Sequence, residues 1–273
     1  MNSKKLERIV ILILLLLNVS LLLVVLTDDA QQRRSDRDTA DSIAALLREN
    51  GIEVAEGAEL VQSAPAECTV VRDADAETAR MRALLGAVSA EDQGGSIFYY
   101  RAADGQAVMR GTGEFDMLFA TGAVRARGGA KKAALRLFAR ADVALDEESL
   151  RLSEDGETLL ACCTWNGWPV WNAALEISFT GESFYAVFGT LVFNRETAVG
   201  ETGMDSLSAL LRFLELVNSE GIICSRLESL TPGYLMHVNV SGESTLTPVW
   251  RIVTDTGEHY LNARTGHTES LGA

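Results

Sequence analysis

An uninterrupted apolar run near the N-terminus, Ile9 to Leu26, constrains what this chain can fold into more than any other feature. Sixteen of its 18 residues are Leu, Ile or Val, and the two exceptions are Asn18 and Ser20. As an α-helix the run would be roughly 27 Å long at 1.5 Å per residue, close to the hydrocarbon thickness of a bilayer. The run therefore predicts a membrane-spanning segment.

This segment has two possible interpretations, a cleaved signal peptide and a retained anchor. A signal peptide usually has a shorter apolar region, followed by small residues at the cleavage site. Here Asp28 and Asp29 follow the run directly, which favours the anchor. Lys4, Lys5 and Arg8 precede it, so the positive-inside rule places the N-terminus in the cytoplasm. We therefore expect a single-pass protein of the cell membrane with extracytoplasmic C-terminal domains.

The charge of the chain restricts its partners. It has 24 Lys and Arg against 38 Asp and Glu, a net charge of −14. Residues 1–26 contain three bases and one acid, a net charge of +2, so the remainder carries about −16. Such a surface repels nucleic acids and anionic lipid headgroups, and a nucleic-acid partner is excluded on this ground. With 47% hydrophobic residues and only four prolines, the part after the anchor should fold.

The cysteines do not form a recognisable disulfide or zinc pattern. Cys162 and Cys163 are neighbours in a strand-like run, so their side chains should point to opposite faces. Buried free thiols are the ordinary interpretation of such cysteines, and a redox or metal role is the alternative. Their redox state is not determined by the sequence.

Helical and strand-like segments alternate after the anchor. Amphipathic patterns predict helices at Ala40–Asn50, Asp75–Val88, Lys131–Arg140 and Asp205–Asn218. Between them lie β-prone runs joined by the hairpin signals Asp104-Gly105, Asp155-Gly156 and Asn166-Gly167. The pattern predicts an α+β protein in which each helix covers one face of an antiparallel sheet.

The last two units share short motifs as well as element order. Trp168-Pro169-Val170-Trp171 corresponds to Thr247-Pro248-Val249-Trp250, 79 positions later. Thr180-Gly181-Glu182 corresponds in the same way to Thr256-Gly257-Glu258. We interpret these matches as a duplicated helix-plus-sheet unit, with coincidence as the alternative. The expected domains are a cytoplasmic tip and anchor (1–27), a membrane-proximal domain (28–125) and a C-terminal domain (126–273) with units 126–200 and 201–273.

No catalytic motif accompanies this architecture. The sequence has no Gly-rich phosphate loop, His-Glu-x-x-His pair or Gly-x-Ser-x-Gly elbow. The acidic pairs Glu147-Glu148 and Glu154-Asp155 lie in turn-like contexts typical of solvated surface. We therefore expect no enzymatic activity, no cofactor and no bound metal.

Three residues are candidates for binding a partner: Asn18, Trp165 and Trp168. Trp165 and Trp168 flank the Asn166-Gly167 turn, where they could form an aromatic docking patch, because Trp is enriched at binding hot spots. Core packing around the hairpin is the alternative. Asn18 lies in the apolar run, where its amide could hydrogen-bond a neighbouring membrane helix or simply be tolerated.

Four segments carry a resemblance to a known family: Met1-Asn2-Ser3-Lys4-Lys5, the Leu/Ile run with Asn18, Leu246-Thr247-Pro248-Val249-Trp250-Arg251-Ile252 and Tyr260-Leu261-Asn262-Ala263-Arg264-Thr265-Gly266. In these segments the sequence resembles the YycH/YycI family of accessory proteins from Gram-positive bacteria. It implies a transmembrane helix followed by PepSY-like repeats of a helix and an antiparallel sheet. It also implies a partnership with a WalK-like sensor histidine kinase of cell-wall metabolism and with a YycH-like protein.

Three functions follow as expectations. The first is a membrane-anchored regulator of that kinase, acting through helix and ectodomain contacts. The second is a binding module that holds a peptide or wall ligand, or restrains an extracellular protease. The third is an anchored hydrolase, which would require a pocket with convergent titratable groups.

Overall fold

The structure is a computed structural model that describes residue 35 and residues 38–192, 194–239 and 243–271. Its helices are α1 (38–49), α2 (Ala74–Leu85), α3 (Ala130–Arg140) and α4 (Ser206–Glu220). The strands before α3 are β1 (Glu53–Val54), β2 (Ala66–Arg72), β3 (Ser89–Asp92), β4 (Phe98–Ala102), β5 (Gly105–Met109), β6 (Glu114–Phe119) and β7 (Val124–Arg125). Those after it are β8 (Arg151–Leu152), β9 (Thr158–Trp165), β10 (Trp168–Thr180), β11 (Ser183–Thr190), β12 (Asn194–Thr202), β13 (Arg226–Val238), β14 (Glu243–Thr254), β15 (Gly257–Asn262) and β16 (Thr268–Glu269).

These 16 strands belong to one mixed sheet. Its main path is β12-β2-β14-β13-β10-β11-β6-β5-β4-β3. Other strands extend it at the sides: β1 pairs with β13, β7 with β11, β9 with β10 and β15 with β14. Most neighbours are antiparallel, but β1 and β10 both run parallel to β13.

Local sequence signals account for where the helices begin and end. Asp73 caps α2 by accepting a hydrogen bond from the Ala76 amide at 3.0 Å, and Asp205 caps α4 through the Ser208 amide at 2.8 Å. Helix α4 ends at Gly221, whose φ of 71° is the left-handed conformation that glycine adopts without strain. Helix α3 begins after Gly129 with no side-chain cap.

The helices bury their apolar stripes against different parts of the sheet. Helices α2 and α3 pack on the largest cluster, which includes Phe138, Tyr100 and Phe115. Helices α1 and α4 cover β13 to β15 in a second cluster around Trp250. A third, small cluster contains Trp171, Leu235, Val249 and Tyr260. Since Val249 and Trp250 are neighbours in one strand, the second and third clusters lie on opposite faces of it.

The predicted fold class is wrong, because the strands form one continuous sheet instead of repeated helix-plus-sheet units. The two Pro-Val-Trp motifs lie in β10 and β14, on either side of β13, but β10 is parallel to β13 and β14 is antiparallel to it. The matching motifs therefore occupy non-equivalent places. Strand β2 lies between β12 and β14, and β6 pairs with β11 across the expected boundary at residue 125. The division into domains stays a prediction.

The expected N-terminal transmembrane helix and single-pass localisation are also corrected. None of the helices in the described ranges is long and apolar enough to cross a bilayer. Helix α4, for example, has 15 residues and includes Arg212 and Glu215. The run Ile9–Leu26, on which the expectation was based, lies outside the described residues.

Candidate functional site

An open groove of about 620 Å³ lies where β10 begins, beside the first half of β13. Strands β10, β13 and β14, the segment between β1 and β2, and the region around β8 contribute its walls. The side chains that line the groove include Gln62, Ser149, Trp168, Trp171, Arg251 and a set of acidic residues. Segments that are distant in sequence thus meet at one place in the sheet.

The groove lies at a gap in the hydrogen-bonding of the sheet. On one side, β13 is paired with β14 along its length. On the other side, β1 pairs with it at Arg226 and Leu227, and β10 pairs with it at Tyr234. Between these points, residues 228–232 line the groove, and no described strand pairs with them on that side. Part of a strand edge is therefore open to the groove.

A side-chain amide serves one carbonyl at this edge. The Gln62 Nε2 group donates a hydrogen bond to the Leu230 carbonyl at 3.1 Å. The Gln62 backbone amide donates in turn to the Ser206 hydroxyl at 3.0 Å, which fixes the segment before β2 against α4. The open edge thus has a polar partner that an incoming backbone N–H could replace.

The tight turn at Asn166-Gly167 positions the tryptophans. Asn166 and Gly167 have φ values of 50° and 83°, as a two-residue hairpin turn requires. The turn pairs Trp165 with Trp168 across β9 and β10. Both rings are half-buried and pack on the largest core cluster, while Trp168 also lines the groove.

A charged and aromatic cluster forms another wall of the groove. The Arg251 guanidinium lies over the Trp171 ring, and it donates to Glu258 from Nε at 3.1 Å and from Nη2 at 2.5 Å. The Tyr260 hydroxyl donates to the same carboxylate at 2.8 Å. The Trp171 indole N–H is buried and has no hydrogen-bond partner among the described residues.

These contacts shift the pKa values of the cluster in opposite directions. The hydrogen bond from Arg251 lowers the pKa of Glu258 below its usual range. Burial would lower the pKa of Arg251, but its hydrogen bonds to Glu258 raise it above its ordinary value. Burial, together with the hydrogen bond to Glu258, raises the pKa of Tyr260. Arg251 and Glu258 are therefore a charged pair at neutral pH.

The rest of the groove is acidic. Its carboxylates are Glu56, Glu59, Asp146, Glu148 and Glu228, and its basic side chains are Arg151 and Arg251. Glu228 pairs with Arg226 at 3.1 Å, while Arg251 is neutralised by Glu258. The groove thus has a negative rim around an aromatic wall.

The polar groups of the groove serve structural bonds. The Ser149 hydroxyl donates to the Asp146 carbonyl and accepts from the Cys162 amide, both at 2.8 Å. In the described residues, neither hydrogen bond of this hydroxyl is to a histidine or a carboxylate that would act as a base. In the described part of the chain, no group of three His, Cys, Asp or Glu side chains is placed to hold a metal ion.

The four cysteines are free thiols in the structure. Cys163 is buried in the largest cluster, and Cys162 packs on the third cluster, so the two side chains face opposite ways as predicted. Burial raises the pKa of both thiols. Neither is placed to act as a nucleophile at neutral pH.

The predicted partner-binding residues do not all meet in the groove. Trp168 lines it, Trp165 is not among its lining residues and packs on the largest core cluster, and Asn18 lies outside the described residues. Their binding role stays a prediction. Arg251, Trp171 and Gln62 were not candidates from the sequence, although Trp171 lies in the repeated motif and Arg251 lies in a segment that carries the family resemblance. Their neighbourhood depends on strand partners that the motif does not specify.

Comparisons with known proteins give no family for this chain. No family model and no curated protein matches it. Among solved structures it is similar to an uncharacterized protein from Eubacterium rectale, with 11% sequence identity and a TM-score of 0.46. The similarity covers 80% of this chain and 89% of that one. None of this bears on the resemblance to the YycH/YycI family, which stays a prediction.

Proposed function

We propose that this chain is a binding module without a catalytic centre, and that its groove holds an extended, positively charged peptide segment. The observation that carries this proposal is the open edge of β13 at residues 228–232, which lies beside Trp168 inside the groove.

The strand edge favours an extended peptide as the ligand. A peptide can add to an exposed strand edge, where main-chain hydrogen bonds give affinity and adjacent pockets give specificity. The gap between the pairings at Leu227 and Tyr234 spans six residues, or roughly 20 Å at 3.3 Å per residue. A short peptide would fill it in line with β1 and β10, with one of its N–H groups replacing the Gln62 amide at the Leu230 carbonyl.

The charge of the groove favours basic side chains. With Arg251 held by Glu258, the rim acids outnumber the available cations. A Lys or Arg side chain in this groove would meet carboxylates at the rim and the indole of Trp168, and both kinds of group attract a cation. An acidic peptide would be repelled by the same groups.

The polar groups among the described residues that line the groove favour binding over catalysis. The hydroxyl of Ser149 is hydrogen-bonded to two backbone groups, and the lining residues include neither His nor Cys. A hydrolase would need a nucleophile with a base in hydrogen-bond reach. A binding module for a basic peptide needs only the open edge of β13, the indole of Trp168 and the acidic rim of the groove.

Regulation of a sensor histidine kinase, with a YycH-like partner, stays an expectation based on the family resemblance. A groove that holds a segment of a partner protein would be compatible with it. Such regulation requires different affinities for two states of the partner, since equal affinities shift no equilibrium.

The test measures fluorescence anisotropy of a labelled hexapeptide of alternating Lys and Val. The full chain should bind it, and Trp168→Ala should weaken binding by about tenfold, the effect of losing a buried aromatic contact. Tyr185→Ala removes an aromatic ring that is exposed on β11, outside the groove, and should leave the affinity unchanged. The same peptide with N-methylated amides should not bind, because it cannot donate to the edge.

Two results would contradict the proposal. One is a Glu and Val hexapeptide that binds as tightly as the Lys and Val hexapeptide. The other is equal affinity of wild-type protein and Trp168→Ala for the basic peptide.

A further inference from the structure

A second charged surface, of opposite sign, lies around α3. Residues 117–141 contain six bases and no acid in a chain whose net charge is −14. The six side chains are called the α3 basic patch: Arg125, Arg127, Lys131, Lys132, Arg136 and Arg140. A quarter of the 24 basic residues is therefore concentrated in one strand, one turn and one helix.

The patch is exposed, and no acid among the described residues neutralises its charges. All six residues are exposed, and within the described ranges none of them forms an ion pair at 4 Å or less. Asp142, the next acid along the chain, points to Arg80 at 3.9 Å. Glu182 lies in the adjoining turn, where its carbonyl accepts from the Ala126 amide, and its carboxylate forms no ion pair with the patch. Six like charges are thus held together with no ion pair to any acid in the described part of the chain.

Backbone carbonyls hold three of the cations in place. Arg140 donates from Nη2 to the Ala83 carbonyl at 2.9 Å, and Lys131 donates from Nζ to the Leu150 carbonyl at 2.7 Å. Arg136 donates from Nη2 to the Arg127 carbonyl. These bonds fix the side chains but leave their charge available, so a ligand pays less entropy to order them.

The patch surrounds a small cleft of about 270 Å³. Arg125, Arg136 and Arg140 line it together with the apolar side chains of Ala123, Val124, Ala133 and Leu137. Guanidinium groups bind carboxylates in a fork geometry, often with two parallel hydrogen bonds. The cleft therefore offers carboxylate-binding groups around an apolar floor.

The start of α3 has the same preference for an anion. The helix begins after Gly129 without a side-chain cap, and its first turn contains Lys131 and Lys132 but no acid. Cations near a helix N-terminus oppose the helix dipole and cost stability. A negatively charged partner beside this turn would offset the destabilising effect of the two lysines on the helix.

We infer that the α3 basic patch is the docking surface for an acidic segment of a partner protein, with carboxylates on the arginines and an apolar side chain in the cleft. The apolar floor favours a polypeptide over polyphosphate, because polyphosphate has no apolar group to place there. The charge of the whole chain repels long polyanions, whereas a short acidic segment feels mainly the local patch. This inference concerns a different surface from the groove and does not depend on the function proposed for it.

The test uses a labelled 12-residue peptide of alternating Glu and Leu as the probe. Arg125→Gln/Lys132→Gln removes two charges that make no side-chain hydrogen bond or ion pair in the described part of the chain. Arg48→Gln/Arg195→Gln is the matched control, since it removes two exposed and similarly unbonded charges elsewhere. We expect the patch variant to bind the peptide about tenfold more weakly, because it loses two exposed charge pairs with the peptide. The control variant should lose less than about twofold in affinity, because only its net charge changes.

Added salt should lower the affinity of the wild-type protein for the acidic peptide more than that of the patch variant. The wild-type protein has two more exposed charge contacts with the peptide, and salt screens such contacts. The patch variant should still bind the Lys and Val hexapeptide, which separates failure here from failure of the groove proposal. The inference is overturned if wild-type protein does not bind the acidic peptide, or if both double variants lose affinity equally. It is also overturned if polyphosphate, single-stranded DNA or anionic vesicles compete at lower charge concentration than the unlabelled peptide.

Discussion

The guanidinium carbon of Arg251 lies 4.8 Å from the centroid of the Trp171 ring, which forms part of the groove wall. The guanidinium is held there by two hydrogen bonds to Glu258 on the neighbouring strand β15. Glu258 is fixed in turn by the hydroxyl of Tyr260. The shape of the groove is therefore coupled to an ion pair that can be removed by mutation or by acid.

Replacement of Glu258 should make the protein less stable at neutral pH but less sensitive to acid. Because the pKa of Glu258 is lowered in the folded state, its contribution is complete above its unfolded pKa, about 4.3. The contribution is lost as the pH falls through the folded pKa. We expect Glu258→Gln to cost about 1 kcal/mol at pH 7, a value reduced for its partial exposure, and less at pH 3. Urea unfolding at both pH values measures this.

Arg101 and Glu91 provide the matched control for that prediction. They form an ion pair at 3.7 Å with both side chains more than half exposed. Glu91→Gln should change the free energy of unfolding by less than about 0.5 kcal/mol at pH 7. Equal effects of the two substitutions would show that the Arg251 pair has no special role.

Glu77 should be among the most sensitive positions of the fold. Its side chain is 1% exposed, and it accepts from Arg72 Nε at 2.7 Å, Arg72 Nη2 at 2.8 Å and the Tyr100 hydroxyl at 2.7 Å. Glu77→Leu leaves the guanidinium and the hydroxyl without their acceptor, so the expected cost is about 3–5 kcal/mol. Urea unfolding of this variant, of Arg72→Met and of the double variant gives the coupling energy. If the loss of unfolding free energy in the double variant equals the sum of the losses in the two single variants, the expected coupling is contradicted.

The raised pKa of Tyr100 leads us to expect that the protein loses stability at alkaline pH. Burial, followed by the contact with Glu77, raises the pKa of Tyr100 to about 12. A raised folded pKa means that the contribution of the neutral phenol is complete below the unfolded value, about 10, and is lost as the pH rises toward 12. Stability should therefore fall between these values, and Tyr100→Phe should weaken the fall. Urea midpoints between pH 9 and pH 11 test this, and identical pH profiles of the two proteins would refute it.

Much of the local structure follows from short-range signals. The helices predicted at Asp75–Val88, Lys131–Arg140 and Asp205–Asn218 are confirmed as α2, α3 and α4, because their apolar stripes lie within the segments themselves. The aspartate caps of α2 and α4 lie within two residues of the predicted starts, at Asp73 and Asp205. The hairpin turn at Asn166-Gly167 is confirmed for the same reason. These features require no knowledge of distant partners.

The pairing of strands could not be read in this way. Strand β2 lies between β12 and β14, so its neighbours come from more than 120 residues away in the sequence. Strand β12 was not predicted at all, because its residues, Asn-Arg-Glu-Thr-Ala-Val-Gly-Glu-Thr, lack an apolar alternation. An edge strand packs few side chains and therefore leaves little pattern. The repeated Pro-Val-Trp motif misled for a related reason, since it specifies strands but not their direction.

The same limit applies to the groove. Trp168 was identified from its turn, but the open edge of β13 exists only because β1 and β10 reach that strand at Leu227 and Tyr234 and leave a gap between. Arg251 enters the groove wall through its contact with Trp171, which lies 80 residues away. A site produced by strand register has no local sequence signature.

Gly233 should be required for the position of Trp171. A Cβ atom at this residue would lie 2.5 Å from Trp171 Nε1 and 2.6 Å from the Pro169 carbonyl oxygen. Because the carbonyl belongs to the backbone of β10, Gly233→Ala must separate β10 from β13 or displace the indole. Such overpacking should cost about 1–3 kcal/mol in urea unfolding.

Gly233→Ala should also weaken binding of the Lys and Val hexapeptide, since both strands border the groove. Gly200→Ala is the control, because its new Cβ would come no closer than 3.3 Å to Glu67 Cβ on the edge pair β12–β2. Gly233→Ala with wild-type stability and wild-type peptide affinity would show that the contact between the indole and the glycine does not determine the groove.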